Sequence, residues 1–214
     1  KDFDKKADGT HKARFVAHGF KQREGHDYDP NGISSPVTNK TTIRVILALA
    51  LLANWAIEVI DVKGAFLLAP LGEGEEIYME KPEGAEELGM SEIQGGSVWL
   101  LQRALYGLKQ AAKCFWNKLL EVMRGMGHTR SNTDPCLYFS WTDLGLVIWI
   151  SHIDDCMVVG SKEAVEAARN AMMAKFDCVH VAQVHGYGKF EYIGIMYEIT
   201  GKEMKASMPV IAAR

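Results

Sequence analysis

Two adjacent aspartates, Asp154 and Asp155, interrupt a strongly apolar stretch, with Leu146 to Ile150 before them and Met157 to Val159 after. A carboxylate drawn toward a β-rich interior has to be paired, protonated or bound to a cation, because desolvating an isolated charge is costly. One chemistry for such a pair is to hold a hard divalent cation, which takes oxygen ligands and keeps positions open for substrate phosphates. The other reading is a hairpin turn, since Asp favours turns and tolerates unusual backbone angles there. Asp61 is the natural third carboxylate. It closes a run from Ala56 that alternates as a strand, with Ile57, Val59 and Asp61 on one face and Glu58 and Ile60 on the other.

The elements that must position these residues follow from local signals. Ala13 to Ala17 is a short β-like run after the turn signal Asp8-Gly9, and the segment through Pro36 reads as a hairpin projecting from the body. Thr41 or Thr42 caps a helix from Ile43 to about Asn54, apolar nearly all round and so expected to be buried. Ile77-Tyr78-Met79 and Val98 to Leu101 are strand-like, on either side of a Gly- and Glu-rich stretch. A helix from about Ala111 to Met126 places Phe115, Leu119, Val122 and Met126 on one face, with Gly127 to end it. Cys136 to Trp141 and Leu146 to Ile153 pair through Asp143-Leu144-Gly145, and Met157 to Val159 returns, leaving the aspartates at a hairpin tip. Ser161 caps a helix to about Phe176, with Val165, Ala168, Met172 and Phe176 inward, and Glu191 to Ile199 is the last clear strand. Hairpins near the acidic pair and helices between strands predict an α+β fold, its antiparallel sheet covered by helices on one face.

Composition bounds the rest. With 214 residues, 48% of them hydrophobic and 24% charged, the chain can bury a sizeable core. A net charge of −3 gives no overall case for a polyanion partner, but its distribution does: Lys1 to Arg23 carries seven Lys or Arg against three Asp, whereas Glu73 to Glu92 holds eight Glu and one Lys. Cys114, Cys136, Cys156 and Cys178 lack zinc spacing and read as reduced intracellular thiols. The charged N-terminal residues do not resemble a cleaved leader, and the longest apolar run, Val45 to Ala53, is shorter than the roughly 20 residues a membrane span needs. A soluble chain with no membrane partner is expected.

Six blocks, in order, carry a resemblance: His11-Lys12-Ala13-Arg14-Phe15-Val16-Ala17-His18-Gly19-Phe20, Thr41-Thr42-Ile43-Arg44, Asp61-Val62-Lys63-Gly64-Ala65-Phe66-Leu67, Ile77-Tyr78-Met79-Glu80, Leu105-Tyr106-Gly107-Leu108-Lys109-Gln110 and Phe190-Glu191-Tyr192-Ile193-Gly194-Ile195. Together they closely resemble the reverse transcriptase of copia-type LTR retrotransposons, over about Lys12 to Glu198. The resemblance implies a right-hand polymerase: fingers and palm, with an antiparallel palm sheet packed on helices. It implies fingers-like residues 1–55, a first palm segment at 56–70, a fingers-like insertion at 71–110, palm at 111–199 and a truncated connection toward a thumb at 200–214.

By the same resemblance Asp61, Asp154 and Asp155 are catalytic and, with Val62, hold two Mg2+ ions, for which Mn2+ can substitute. Asp155 ranks third among the ligands. The reaction implied is nucleotidyl transfer onto a primer 3′-hydroxyl, driven by positioning and charge stabilisation. Lys12 and Arg14 match the basic hairpin that clamps the incoming triphosphate, Phe66 the ring that excludes a ribose 2′-hydroxyl, and Tyr106 and Gly107 the loop packed on nucleotide and template. His152, Tyr192 and Gly194 match positions along the primer and template. Implied partners are an RNA or DNA template with its primer, dNTPs, and the remaining Pol segments (thumb, RNase H, integrase), and the implied location is the cytoplasmic virus-like particle.

The chain departs from the family pattern at His152, normally Tyr, which exchanges a phenol for an imidazole still able to pack against the primer. It departs again at Ala112, normally Pro, which relaxes the start of the following helix, and at the irregular Asn31 to Pro36. These departures define an alternative: a degenerate or domesticated retroelement fragment acting as a non-catalytic nucleic-acid-binding or structural module. A third reading, a palm-type nucleotide cyclase, fits the carboxylates but not the fingers-like segment or the Leu-Tyr-Gly-Leu-Lys-Gln block.

Overall fold

A computed structural model describes residues 2–5, 9, 11–82, 84, 85 and 98–208. In chain order these form β1 (Asp2–Lys5), β2 (His11–Arg14), α1 (Lys40–Leu52), β3 (Ala56–Val62), α2 (Ala65–Leu68), β4 (Tyr78–Glu80), β5 (Val98–Leu100), α3 (Ala111–Gly125), β6 (Thr129–Arg130), β7 (Leu137–Thr142), β8 (Gly145–His152), β9 (Asp155–Gly160), α4 (Lys162–Met173), β10 (Cys178–His185), β11 (Tyr187–Tyr192), β12 (Ile195–Thr200) and β13 (Glu203–Ser207). The chain divides into two units, residues 1–35 with 66–118, and residues 36–65 with 119–214. No helix among the described residues is long and apolar enough to cross a membrane.

The first unit holds two small antiparallel ladders, β1 with β2 and β4 with β5. The expected N-terminal hairpin is present, but its second strand ends at Arg14, not Ala17. Beyond it the amide of Ala17 donates to the carbonyl of Tyr106 (2.7 Å), so this stretch is held by a loop and not by a ladder. Of the expected turn Asp8-Gly9, Asp8 lies outside the described residues, and Gly9 has φ +86°. The acidic stretch from Glu73 to Glu92 is described only in part, since residues 83 and 86–97 lie outside. On α3 the buried stripe is Ala111, Cys114, Phe115, Leu119 and Met123. The expectation had Val122 and Met126 in place of Met123; the stripe follows the i, i+4, i+8 row from Phe115 and leaves both half-exposed.

In the second unit the described residues form a nine-stranded antiparallel sheet in the order β13-β12-β11-β10-β3-β9-β8-β7-β6. Its central strands β3 and β9 are buried on both faces, as their near-continuous apolar sequences require. Ile57 and Val59 on β3, Met157 and Val159 on β9, and Ile148 and Ile150 on β8 share one face with Ile43, Ile46, Leu47 and Ala50 of α1. Each such aliphatic side chain contributes about 1.5–3 kcal/mol by leaving water. The opposite face meets α4, whose Arg169 reaches Glu58, so helices cover both faces and not one as the sequence suggested. Glu58 is fully buried, and its carboxylate takes Arg169 Nη1 at 3.1 and 3.2 Å and His180 Nε2 at 3.2 Å.

The caps differ from expectation at one end. Asn39, not a threonine, caps α1, accepting from the amide of Thr41 (2.8 Å), which puts both threonines inside the first turn. Nor is α1 buried all round, since Val45, Leu49 and Leu52 are exposed. Ser161 caps α4 as expected, accepting from the amide of Ala164, and Phe176 lies buried just past the helix end at Met173.

The expected last strand is two strands. β11 and β12 pair from Tyr187↔Thr200 to Tyr192↔Ile195 around Ile193-Gly194, both at positive φ as a tight type I′ hairpin turn requires. β10 and β11 share only the pair His185↔Tyr187, so β11 leaves the plane of β10 and folds over the α1 face. There Phe190, Tyr192, Tyr197 and Ile199 join the core, and the Tyr192 hydroxyl donates to the Ile150 carbonyl (3.2 Å).

Candidate active site

The β8–β9 hairpin is as tight as a hairpin can be: His152 pairs with Asp155, and only Ile153 and Asp154 lie between them. Ile153 has φ +57°, a conformation strained for a β-branched residue, and such strain persists only where the surroundings impose it. The end of β3 supplies one constraint, because the Val62 amide donates to the Asp154 carbonyl (3.0 Å). Register supplies the other. Asp61 is the cross-strand partner of Asp155, so His152, Asp155, Asp61 and Val179 form one row across β8, β9, β3 and β10, pointing to the α1 face. Like charges placed directly opposite in an antiparallel pair repel.

That repulsion is visible at Asp155, whose carboxyl is pushed up to about 6, first by burial and then by the charges of Asp154, Asp61 and Glu191. Lys63, the cation nearest in sequence, is engaged elsewhere, its ammonium on the Asp177 carboxylate at 3.0 and 3.2 Å. Three carboxylates beside the backbone of Val62 are the donor chemistry of a hard, oxygen-seeking cation. Among the described residues no group of three or more His, Cys, Asp or Glu side chains is arranged to hold a metal ion. The carboxylates thus share an electronegative corner without a closed ligand cage.

His152 lies partly buried in the same row, its Nδ1 lacking a hydrogen-bond partner. Tyr192 is 2% exposed, its ring inside the core and its hydroxyl committed to Ile150, while Gly194 is exposed at the adjacent turn with φ +70°. Burial holds the Tyr192 phenol far above its ordinary range.

The remaining expected residues belong to the first unit. Phe66 and Tyr106 meet edge to face, ring centroids 4.5 Å apart and planes at 61°. Gly107 has φ +90°, and a Cβ there would run into the Ala17 carbonyl oxygen, so the Tyr106-Gly107 turn needs its glycine twice over. Lys12 and Arg14 stand on β2, in register with Asp4 and Asp2. A cleft of about 820 Å3 in this unit has His18, Lys21, Arg23, Tyr78 and Lys81 among its lining residues.

Two carboxylates carry roles that sequence reasoning did not give them, one beside the site and one on the opposite face of the sheet. Glu191 influences Asp155 from β11, and an exposed Glu between buried Phe190 and Tyr192 carries no signal of that in sequence. Glu58 did carry one, a charge inside Ala-Ile-Glu-Val-Ile, but its partners Arg169 and His180 are more than a hundred residues away.

The family described as reverse transcriptase (RNA-dependent DNA polymerase) matches residues 1–207. Retrovirus-related Pol polyproteins from transposon TNT 1-94 of Nicotiana tabacum and transposon RE1 of Arabidopsis thaliana are 38% and 34% identical, over 77% and 71% of this chain. The Gag-Pol polyprotein of transposon Ty1-H of Saccharomyces cerevisiae is 26% identical over 97% of this chain. The matches cover only 12%, 10% and 12% of those relatives' own lengths. A solved telomerase structure from Candida albicans aligns with 83% of this chain and 35% of that one at 8% identity, with a TM-score of 0.43, too low to bear on the fold.

Proposed function

Because the chain belongs to the reverse transcriptase family and matches the Pol polyproteins of copia- and Ty1-type transposons, we propose that it forms the fingers and palm that extend a primer on an RNA or DNA template. The observation that carries this is the apposition of Asp61 and Asp155 across β3 and β9, with Asp154 beside them in a strained turn. Nothing in a purely structural hairpin calls for two carboxylates face to face. A site that binds divalent cations does.

In this reading Asp61, Asp154 and, with less weight, Asp155 hold Mg2+ together with the Val62 backbone. Bound there, divalent cations supply charge neutralisation for the triphosphate and make the primer 3′-hydroxyl a better nucleophile. The chain's own residues do the rest by placement. The unit of residues 36–65 and 119–214, which holds most of the expected palm segments 56–70 and 111–199, acts as the palm, and the turn Ile193-Gly194, braced by Tyr192, supports the primer end next to the carboxylates. Residues 1–35 and 66–118 act as the fingers. There Lys12 and Arg14 meet the triphosphate, Phe66 and Tyr106 sense the sugar, and the cleft with Lys21, Arg23 and Lys81 on its walls suits a template strand, since basic and aromatic groups together hold single strands. Template, primer, dNTPs and the other Pol segments are the partners this requires, inside a cytoplasmic particle.

The test is primer extension on an RNA template with dNTPs and Mg2+, comparing the wild-type chain with Asp154→Asn and Asp61→Asn. Extension by the wild type and a loss of at least about a hundredfold in each variant is expected, in line with removal of charge stabilisation at a reacting centre. Equal rates in all three proteins would overturn the assignment.

A further inference from the structure

Tyr106 reaches Phe66 from a loop that has no regular secondary structure of its own, yet the loop is fastened along its whole length. Ala17 N donates to the Tyr106 carbonyl at 2.7 Å, and Gly107 and Gly19 approach so closely that a Cβ on either would strike the other strand's backbone oxygen. Just beyond, two glutamine side chains interlock. Gln22 Nε2 donates to Gln110 Oε1 (3.0 Å) and more weakly to the Asp27 carbonyl (3.4 Å), while Gln22 Oε1 accepts from the Lys109 amide (2.8 Å). Gln110 Nε2 donates to the same Asp27 carbonyl at 2.9 Å. Lys109 Nζ closes the outer side on the Tyr28 hydroxyl (2.8 Å).

The orientation of this pair is dictated by chemistry. A backbone N–H can only donate and a backbone carbonyl can only accept, so Lys109 N fixes which end of Gln22 is oxygen and Asp27 O fixes which end of Gln110 is nitrogen. With both amides so fixed, the contact between them is donor to acceptor. Gln110 is 2% exposed, so no water stands ready to replace a lost partner. An apolar residue at 22 strands the Lys109 amide, an apolar residue at 110 leaves the Asp27 carbonyl only its longer bond from Gln22 and takes the acceptor from Gln22 Nε2, and a glutamate sets oxygen against oxygen.

We propose that Gln22 and Gln110 are positioning residues for sugar discrimination, locking the Tyr106-Gly107 turn to residues 17–28 so that the Tyr106 ring holds Phe66 in its excluding position. This rests on the reading of Phe66 as the group that faces the sugar. The backbone of 66–69 has its own anchors, Ala69 N to the Phe66 carbonyl (3.1 Å), Ala104 N to the Ala69 carbonyl (3.0 Å) and Arg103 Nη1 to the Leu68 carbonyl (3.1 Å). The glutamines act beyond Tyr106, at the Lys109-Gln110 end of the loop.

The experiment is single-nucleotide insertion by the full chain on a primer–template with Mg2+, reading kcat/KM for dNTP and for the matching rNTP. The proteins compared are wild type, Gln110→Met, Gln22→Met, Phe66→Ala and Phe66→Ala/Gln110→Met. Each glutamine variant should lower the dNTP-to-rNTP ratio by about 5- to 10-fold, the scale of one or two stranded hydrogen-bonding groups. Far-UV circular dichroism should stay unchanged, and amide exchange at Ala17 should quicken. Added to Phe66→Ala, Gln110→Met should change the ratio no further, because the group it positions is gone. A role in stability alone lowers both substrates by one factor and leaves the ratio fixed, which overturns the proposal even if exchange at Ala17 quickens. If Gln110→Met does not fold, Gln22→Met decides, and if neither does, the glutamines are fold determinants and the proposal falls. An unchanged ratio in Phe66→Ala, or a wild-type chain that inserts neither nucleotide, refutes the underlying assignment instead.

Discussion

If Asp155 faces Asp61 and Asp154 without a cation, the metal-free protein should become more stable when that one charge is removed. The rise of the Asp155 carboxyl from 3.8 to about 6 would amount, at about 1.4 kcal/mol per pH unit, to about 3 kcal/mol for a fully enclosed group. Asp155 is only partly enclosed, and solvent screening leaves about 1 kcal/mol of that. The sign follows from which state binds the proton more tightly. A carboxyl raised in the folded protein carries no penalty below the unfolded value, acquires it between 3.8 and about 6, and carries it in full above that. Thermal unfolding in EDTA should therefore show Asp155→Asn melting about 2–4 °C above wild type at pH 7.5, the shift expected of about 1 kcal/mol in a domain of this size. The difference should shrink as the pH falls through about 6 and vanish only below about 3.8, and Mg2+ should raise the melting temperature of the wild type more than that of the variant. A variant that melts below wild type at pH 7.5, or a gap that does not close on acidification, would show that Asp155 is not in conflict with its neighbours.

Breaking the ion pair on the opposite face should have the reverse effect. Glu58→Leu leaves Arg169 without its buried counter-charge and should lower the unfolding free energy by about 3–5 kcal/mol in urea, whereas Glu58→Leu/Arg169→Leu should recover most of it; a single variant within about 1 kcal/mol of wild type contradicts the structure. The four cysteines are free and buried, and burial pushes the thiols of Cys114, Cys136 and Cys178 to about 11 and that of Cys156 higher still. Native protein at pH 8 should thus resist a thiol-specific disulfide reagent for many minutes and release four equivalents on unfolding, and fast labelling of any one site would show it to be accessible.

Much of the second unit was legible because its signals are local. The β8–β9 hairpin follows from apolar runs broken by two aspartates, and α4 from Ser161 and an inward row ending near Phe176. What escaped depends on distant partners. β10 reads poorly as a strand because its register shifts between His180 and Ala182, breaking the alternation, and because Val179 and Val181 stay exposed. β13, Glu-Met-Lys-Ala-Ser, is an edge strand with almost no apolar face to announce it. The sidedness of α1 was likewise invisible: its sequence is apolar all round, and only the arrival of β11 and β12 over the same sheet face decides that Ile43, Ile46 and Leu47 are enclosed while Val45 and Leu49 are not. At the site, the three aspartates could be named from sequence, but their apposition could not, since it depends on which residue of β3 stands opposite which of β9.

That register also explains why the conflict persists. Shifting β9 by one residue against β3 would turn Met157 and Val159 away from Ile57 and Val59, emptying the α1 face of its core. Shifting it by two would keep the faces but place Asp155 against Val59 or Met157 against Asp61, driving a carboxylate into apolar packing or leaving apolar surface at the rim. Glu58, anchored to Arg169 and His180 on the other face, resists either slip, because moving it parts a buried charge from its partners. The sheet therefore cannot relieve Asp61 and Asp155 by rearranging. The two carboxylates stay face to face, and at neutral pH, above the range in which Asp155 takes up its proton, a bound cation would stabilise the Asp155 charge.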